Sequence, residues 1–260
     1  MKRISFLVLL SALFCGHCFP QITAQGQGGK TVLWHAIGLE QQIGKNLIHK
    51  NVLGYSRRSS IDSWNPVELP GIFTIREELD YKFSKHFKFS PGIFYAQRFY
   101  DDTSHPDFLN EICIYPKIYH TFNYKRIKFS QYFRTDFRFF SGPKFTRWHK
   151  PFEFRTRYLM KITVPLDKRD RNFMVFITEF LAATDEEVQP DGRKTFTKFR
   201  FTENRSSVFY RHHIPKPDMF FDIGIMNQMW RSGTEKNFHQ TLLLQIDWVF
   251  INPFKKKTKI

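Results

Sequence analysis

The chain has 260 residues, of which 18% are aromatic and 25% charged, and its formal net charge is +16. This length suits one large domain, and the aromatic content, with 31 Phe, favours β-strands. After the N-terminal region no run of 18 or more apolar residues occurs, so the sequence predicts no transmembrane helix.

The N-terminus has the composition of a secretory signal peptide. Lys2 and Arg3 precede an apolar segment, residues 4–14, which is too short to span a bilayer. Small residues at the end of this region predict cleavage after Ala24, which gives a signal peptide over residues 1–24. Cleavage removes two basic residues and lowers the net charge from +16 to +14. We therefore expect an exported protein.

The three cysteines favour a protein without disulfide bonds. Cys15 and Cys18 fall within the predicted signal peptide, and the bulky residue before each argues against lipid attachment there. Cys113 then remains alone, so no internal disulfide can form. We expect Cys113 to be a buried thiol.

Polar and apolar residues alternate along most of the remaining chain. This period of two predicts strands that have one apolar and one charged face. Eleven strands are predicted, at residues 31–40, 47–57, 71–83, 87–99, 111–122, 126–140, 151–164, 172–184, 196–211, 219–231 and 238–250. Many exceed the usual soluble strand of about 5–6 residues and suit tilted strands that cross a bilayer.

Three positions interrupt the alternation. Phe94 falls on the charged parity, so some interior positions are expected to be aromatic. Pro116 lies inside a strand and removes a ladder hydrogen bond, which predicts a bulge or an interruption. The apolar parity switches near Glu203, which predicts a second bulge.

Short and long connections alternate between the strands, as in outer-membrane barrels. We predict longer loops at residues 59–70, 101–109, 141–150 and 185–194, and short turns at 212–217 and 232–237. Bacterial single-chain barrels use even strand numbers, so ten and twelve strands are both open and twelve is favoured. The expected organisation is an antiparallel transmembrane β-barrel over residues 25–252 and a basic tail over 253–260.

A soluble barrel would show the same alternation with its faces reversed. Long consecutive strands, the export signal and the absence of predicted helices favour the membrane protein. A barrel of this many strands would also leave an interior that is hard to fill with side chains. We expect localisation in the bacterial outer membrane.

Three segments, residues 75–95, 134–165 and 203–230, resemble uncharacterised outer-membrane proteins grouped as domain of unknown function family 2490. Phe152-Glu153-Phe154-Arg155-Thr156-Arg157-Tyr158 is similar to the family's arginine-rich strand. Glu203-Asn204-Arg205 is similar to its Asn-Arg strand, and Trp34 also fits. The resemblance implies an outer-membrane β-barrel and implies no activity.

The charged parity carries both signs, so charges on neighbouring strands can pair inside the barrel. The candidate interior residues are Arg76, Glu78, Asp80, Arg134, Asp136, Arg138, Glu153, Arg155, Arg157, Glu203 and Arg205. One hypothesis is a salt-bridge network that closes a structural barrel. The other is a narrow conduit that prefers anions because Arg is in excess.

A lipid hydrolase of the Ser-His type is the alternative from a different functional class. Its candidate residues lie close together in sequence, namely Asn204, Ser206, Ser207, His212 and His213. Such an enzyme requires a hydrogen-bonded nucleophile and base, and closeness in sequence does not supply that geometry.

No cofactor is expected. His212-His213 lacks a third ligand at metal-binding spacing, so no metal site is expected either. Basic residues are spread along the strands, which argues against nucleic-acid binding despite the net charge. The expected partners are the bilayer, lipopolysaccharide or anionic lipid headgroups, which Lys255, Lys256 and Lys257 could contact, and a small anionic solute. The sequence does not indicate an oligomeric state.

Overall fold

The structure, a computed structural model, describes residues 30–60, 63–99, 108–189, 191–216, 218–232 and 235–251. These residues form strands joined by turns, with one 3₁₀ turn at Pro143–Phe145. The strands are β1 (Lys30–Gln42), β2 (Leu47–Arg58), β3 (Leu69–Lys82), β4 (Phe87–Phe89), β5 (Gly92–Phe99), β6 (Phe108–Tyr115), β7 (Lys117–Tyr124), β8 (Ile127–Ser141), β9 (Arg147–Pro165), β10 (Asn172–Val188), β11 (Lys194–Phe196), β12 (Arg200–Pro215), β13 (Asp218–Ser232) and β14 (Glu235–Ile251).

Eleven of these strands close into a barrel. The pairing runs β1–β2–β3–β5–β6–β8–β9–β10–β12–β13–β14 and returns to β1. The short strand β4 lies in line with β5, and β7 lies in line with β6, so each pair occupies one position around the barrel. Strand β11 pairs with the end of β10. The expected all-β barrel is confirmed, and the strands counted from the sequence pattern correspond to the eleven strands around the barrel.

The odd number of strands fixes how the barrel closes. Neighbouring strands of a meander point in opposite directions, so the first and last of eleven point the same way. Strands β1 and β14 accordingly pair in parallel, with Leu33 opposite Leu244, whereas the other pairs are antiparallel. The preference for twelve strands and a wholly antiparallel barrel is therefore corrected to eleven strands with one parallel pair.

Prolines interrupt two strands without changing the register. Pro91 lies between two residue pairs, Tyr81 with Phe89 and Glu78 with Gly92. The two pairs are three residues apart on each strand, so no residue is inserted at Pro91. The predicted interruption at Pro116 is confirmed. It takes the form of a missing ladder bond rather than an inserted residue, because proline has no N–H to donate.

The predicted bulge near Glu203 is confirmed by the pairing of β10 with β12. Leu181 lies opposite Glu203, but the next residue, Ala182, lies opposite Phe201. Thr202 is therefore the extra residue, and both Thr202 and Glu203 face the interior. An inserted residue of this kind reverses the alternation on the bulged strand.

Several strands extend further than the pattern predicted. Strand β9 begins at Arg147 and β10 ends at Val188, so the loops predicted at 141–150 and 185–194 are shorter than expected. Strand β14 begins at Glu235, inside the turn predicted at 232–237. His212 and His213, predicted in a turn, lie within β12, because β12 and β13 stay paired as far as Pro215 and Asp218.

The predicted signal peptide (1–24), the basic tail (253–260) and residues 101–107 of one predicted loop lie outside the described residues. Among the residues that the structure describes, no helix is long and apolar enough to cross a membrane.

Candidate functional site

The barrel interior holds most of the charged residues that the sequence analysis singled out. Strands alternate their side chains, so even-numbered residues of β3 and β8 and odd-numbered residues of β9 point inward. Nine of the eleven predicted interior residues line the central cavity, and the other two, Asp80 and Asp136, are buried in its wall. The opposite parity carries exposed apolar side chains, among them Ile75, Phe133 and Phe137.

Asp136 is the centre of the first charge cluster and is fully buried. It accepts hydrogen bonds from the guanidinium groups of three arginines on β8 and β9. Arg134 Nε donates to Oδ1, and Arg155 Nη2 and Arg157 Nη2 each lie 3.3 Å from Oδ2. The Arg134 guanidinium also lies 3.9 Å from the ring centroid of Tyr115. One carboxylate thus holds three cations together at the barrel wall.

Glu111 of β6 is the centre of the second cluster and is also fully buried. Arg98 Nε donates to one carboxylate oxygen at 2.6 Å, and Arg138 Nε donates to the other at 2.5 Å. Arg138 also pairs with Glu153. Glu111 was absent from the predicted interior set, although its place on the charged parity of its strand was visible in the sequence.

A third cluster joins β9, β10 and β12 around Glu179. Arg157 Nη1 donates to Glu179 Oε1 at 2.9 Å, and Arg205 Nη1 lies 3.5 Å from Glu179 Oε2. Arg205 is held in turn by Glu203. Because Arg157 contacts both Asp136 and Glu179, the first and third clusters form one network.

The fourth cluster connects β3 with the strands that follow it. Tyr115 Oη donates to Glu78 Oε2 at 3.0 Å, and Lys117 pairs with the same carboxylate. Asp80 accepts from Lys88 Nζ and Ser90 Oγ, each at 2.5 Å. Tyr115 and Ser90 were not among the predicted site residues, since tyrosine and serine carry no charge pattern to identify them. Lys117 was also absent from that set, although it lies on the charged parity of its strand.

These clusters do not fill the interior. A cavity of about 1460 Å³ is lined by residues from near both ends of the strands, such as Lys30 and Glu40 of β1. Its lining includes fourteen Lys and Arg side chains but only seven Asp and Glu. The carboxylates of Asp80, Glu111 and Asp136 lie behind that lining, and the cations of the lining still exceed these ten carboxylates by four.

The structure separates the serines from the histidines of the predicted Ser-His alternative, although Ser206 Oγ donates to Asn204 Oδ1 at 3.4 Å. Ser206 and Ser207 are adjacent in β12 and point to opposite faces, and Ser207 is buried. His212 Nδ1 lies 2.7 Å from Asn172 Oδ1, and His213 Nε2 lies 2.6 Å from Asp218 Oδ1. Each serine is six residues along the strand from the histidine on its own face, roughly 20 Å. Asn204 Nδ2 donates to the Glu179 carbonyl at 3.0 Å.

Within the described ranges, no group of three His, Cys, Asp or Glu side chains is arranged to hold a metal ion. Cys113 is fully buried and has no disulfide partner.

The closed barrel and its charged interior define a β-barrel protein with a cationic lumen. The chain belongs to the DUF2490 family of proteins of unknown function, whose sequence profile matches residues 31–239. No curated protein matches the chain.

Proposed function

We propose that the protein spans the bacterial outer membrane and that its lumen conducts small anions. The outer surface supports the membrane part of this proposal. Large apolar side chains project outward around the barrel, and Ile114, Phe133 and Ile223 are each at least 50% exposed. Soluble monomers rarely expose contiguous apolar patches larger than a few hundred Å². Lipid would cover such a surface.

Strand length and closure support the same proposal. The strands around the barrel reach 19 residues in β9, and a tilted membrane strand needs about 9–11. Every strand around the barrel is paired on both sides, so the wall has no open edge whose backbone groups would face lipid.

The connections suggest an orientation. Residues 43–46, 83–86 and 125–126 form short turns at one rim, whereas ten residues separate β2 from β3 and eleven separate β10 from β12 at the other. Outer-membrane barrels place short turns in the periplasm, and we assign that rim accordingly. Contacts of anionic lipid headgroups with the basic tail remain part of the proposal, as does export through the predicted signal peptide.

The surplus of lumen cations is the observation that carries the anion preference. Arg76 is the clearest individual case. It lines the cavity and is exposed, and no described carboxylate lies within ion-pair distance of it. A lumen lined by excess fixed positive charge attracts anions and repels cations.

The test is the reversal potential of single channels in planar bilayers under a KCl gradient. The proposal predicts discrete conductance steps with a reversal potential of the sign that chloride selectivity gives. Arg76→Gln should reduce this selectivity, whereas Arg193→Gln removes the same charge from a side chain that is 82% exposed and paired with Asp191, and should change it little. A folded, inserted barrel that shows no conductance would overturn the conduit and favour the closed structural barrel.

A further inference from the structure

The lumen has two chemically different walls. The four charge clusters lie on strands between β3 and β12, and further lumen ion pairs join Glu40 of β1 to Lys50 of β2 and Arg211 of β12 to Asp222 of β13. Along β14, β1 and β2 the same cavity is lined largely by apolar side chains, among which the polar residues Ser56, Thr241, Gln245 and Asp247 also lie. The apolar residues of this wall are Val32, Trp34, Ala36, Gly38, Val52, Leu243 and Val249.

The two walls face each other across the cavity. In the closed order of eleven strands, β8 and β9 each lie five strands from β1, in opposite directions. Strand β1 is therefore opposite the strands that carry Arg134, Arg155 and Arg157. Val32, Ala36, Val52 and Leu243 are only partly buried, so this apolar wall is not covered by other side chains of the described chain.

Arg76 lies at the boundary between the walls. Its strand neighbours in register are Val52 of the apolar wall and Phe94. Most other lumen arginines are held by carboxylates, but no described acidic side chain is within ion-pair distance of Arg76, and it is exposed to the cavity. A guanidinium with no carboxylate within ion-pair distance, beside an uncovered and largely apolar surface, is suited to a ligand that carries both an anionic group and a hydrocarbon chain.

We propose that the lumen binds a single-chain anionic amphiphile, with its carboxylate or phosphate group at Arg76 and its chain along the wall formed by β14, β1 and β2. This inference rests on the proposed function and specifies the solute class. Inorganic anions would need only the cationic wall. The cavity of about 1460 Å³ exceeds the 300–1,000 Å³ typical of small-molecule sites, so a medium-length chain fits.

The test is equilibrium binding of radiolabelled dodecanoate to the refolded full chain in lipid nanodiscs, with empty nanodiscs subtracted. We expect saturable binding that weakens by roughly tenfold for every two methylenes removed, as burial of the chain requires. Acetate should not compete, and dodecanol, which lacks the charge, should compete only weakly. Binding that is independent of chain length would overturn the inference.

Two variants locate the two ends of the ligand. Arg76→Gln should weaken dodecanoate binding by about tenfold or more, as expected for a lost charge-assisted hydrogen bond, while Arg193→Gln should leave it unchanged. Leu243→Gln should flatten the dependence on chain length even if Arg76→Gln fails to fold. Unaltered binding in both folded variants would contradict the assignment.

Conductance on the same preparations separates this inference from the proposed function. Anion-selective channels that bind dodecanoate no more tightly than acetate would refute the amphiphile and leave the anion conduit standing. Saturable, chain-length-dependent dodecanoate binding by a barrel with no conductance would refute the conduit and support an amphiphile site within the lumen.

Discussion

Replacement of Asp136 by asparagine should be among the most destabilising conservative changes in the barrel. The carboxylate is fully buried and contacts Arg134, Arg155 and Arg157. The amide of asparagine fills the same space but leaves three guanidinium groups without their shared negative charge. Removal of one partner from a buried ion pair costs about 3–5 kcal/mol, and we expect Asp136→Asn to lower the free energy of unfolding by that amount.

A matched change at the barrel rim provides the control. Asp170 pairs with Arg126 at 2.6 Å, but the two side chains are 62% and 51% exposed, so Asp170→Asn should cost less than about 1 kcal/mol. The assay is equilibrium unfolding in urea of the protein refolded into lipid vesicles, with the folded fraction read from the gel shift of unheated samples. The two variants should differ in the urea concentration at the unfolding midpoint, while the dependence of the unfolding free energy on urea concentration stays similar. Equal stability of both variants would refute the central role of Asp136.

Two further predictions concern closure and acid sensitivity. Leu33→Cys combined with Leu244→Cys should form a disulfide on oxidation, because these two residues are paired in the parallel register. The control, Leu33→Cys combined with Trp248→Cys, should form none. The opposite result on a denaturing gel would contradict the parallel pairing of β1 with β14. In the turn between β9 and β10, a hydrogen bond from the backbone N–H of Arg171 lowers the pKa of Asp167 below its ordinary 3.8. The ionised carboxylate therefore stabilises the turn fully above pH 3.8, and this stabilisation is lost as the pH falls through the lowered pKa. A carboxyl NMR titration with a midpoint at or above 3.8 would disprove this contact.

Alternation was sufficient to predict the fold class and which face of each strand carries charge. Arg134, Asp136 and Arg155 could be assigned to the interior because a strand has a period of two and the apolar parity was rich in Phe. The even-number rule for bacterial barrels led to the preference for twelve strands, although the pattern itself contained eleven. The parallel closure follows from that odd number and from no local feature of β1 or β14.

The identity of each ion pair could not be predicted from the sequence. Pairing depends on register, and register depends on turn lengths and on irregularities such as the extra residue Thr202 in β12. Glu111 was overlooked as a network centre because its partners, Arg98 and Arg138, lie 13 and 27 residues away in the chain. His212 and His213 fell within the turn predicted at residues 212–217, yet strand pairing continues through Pro215.

The arrangement also explains why one wall of the lumen escaped prediction. Charged residues stand out in an alternating pattern, whereas Val32, Ala36 and Gly38 resemble the apolar parity of any strand. Only the closed order of the strands shows that these residues point inward, opposite β8 and β9. The apolar wall is therefore a property of the assembled barrel.

The orientation of the two faces relative to lipid is the central claim, and one pair of labelled sites tests it directly. Ile225 projects outward and is 48% exposed, whereas its neighbour Met226 lines the cavity. In a Cys113→Ala background, a fluorophore on Ile225→Cys should be quenched by lipids with brominated chains, and a fluorophore on Met226→Cys should not. Equal quenching at both sites, or none at Ile225→Cys in the folded and vesicle-bound protein, would contradict a membrane-spanning barrel with a charged lumen.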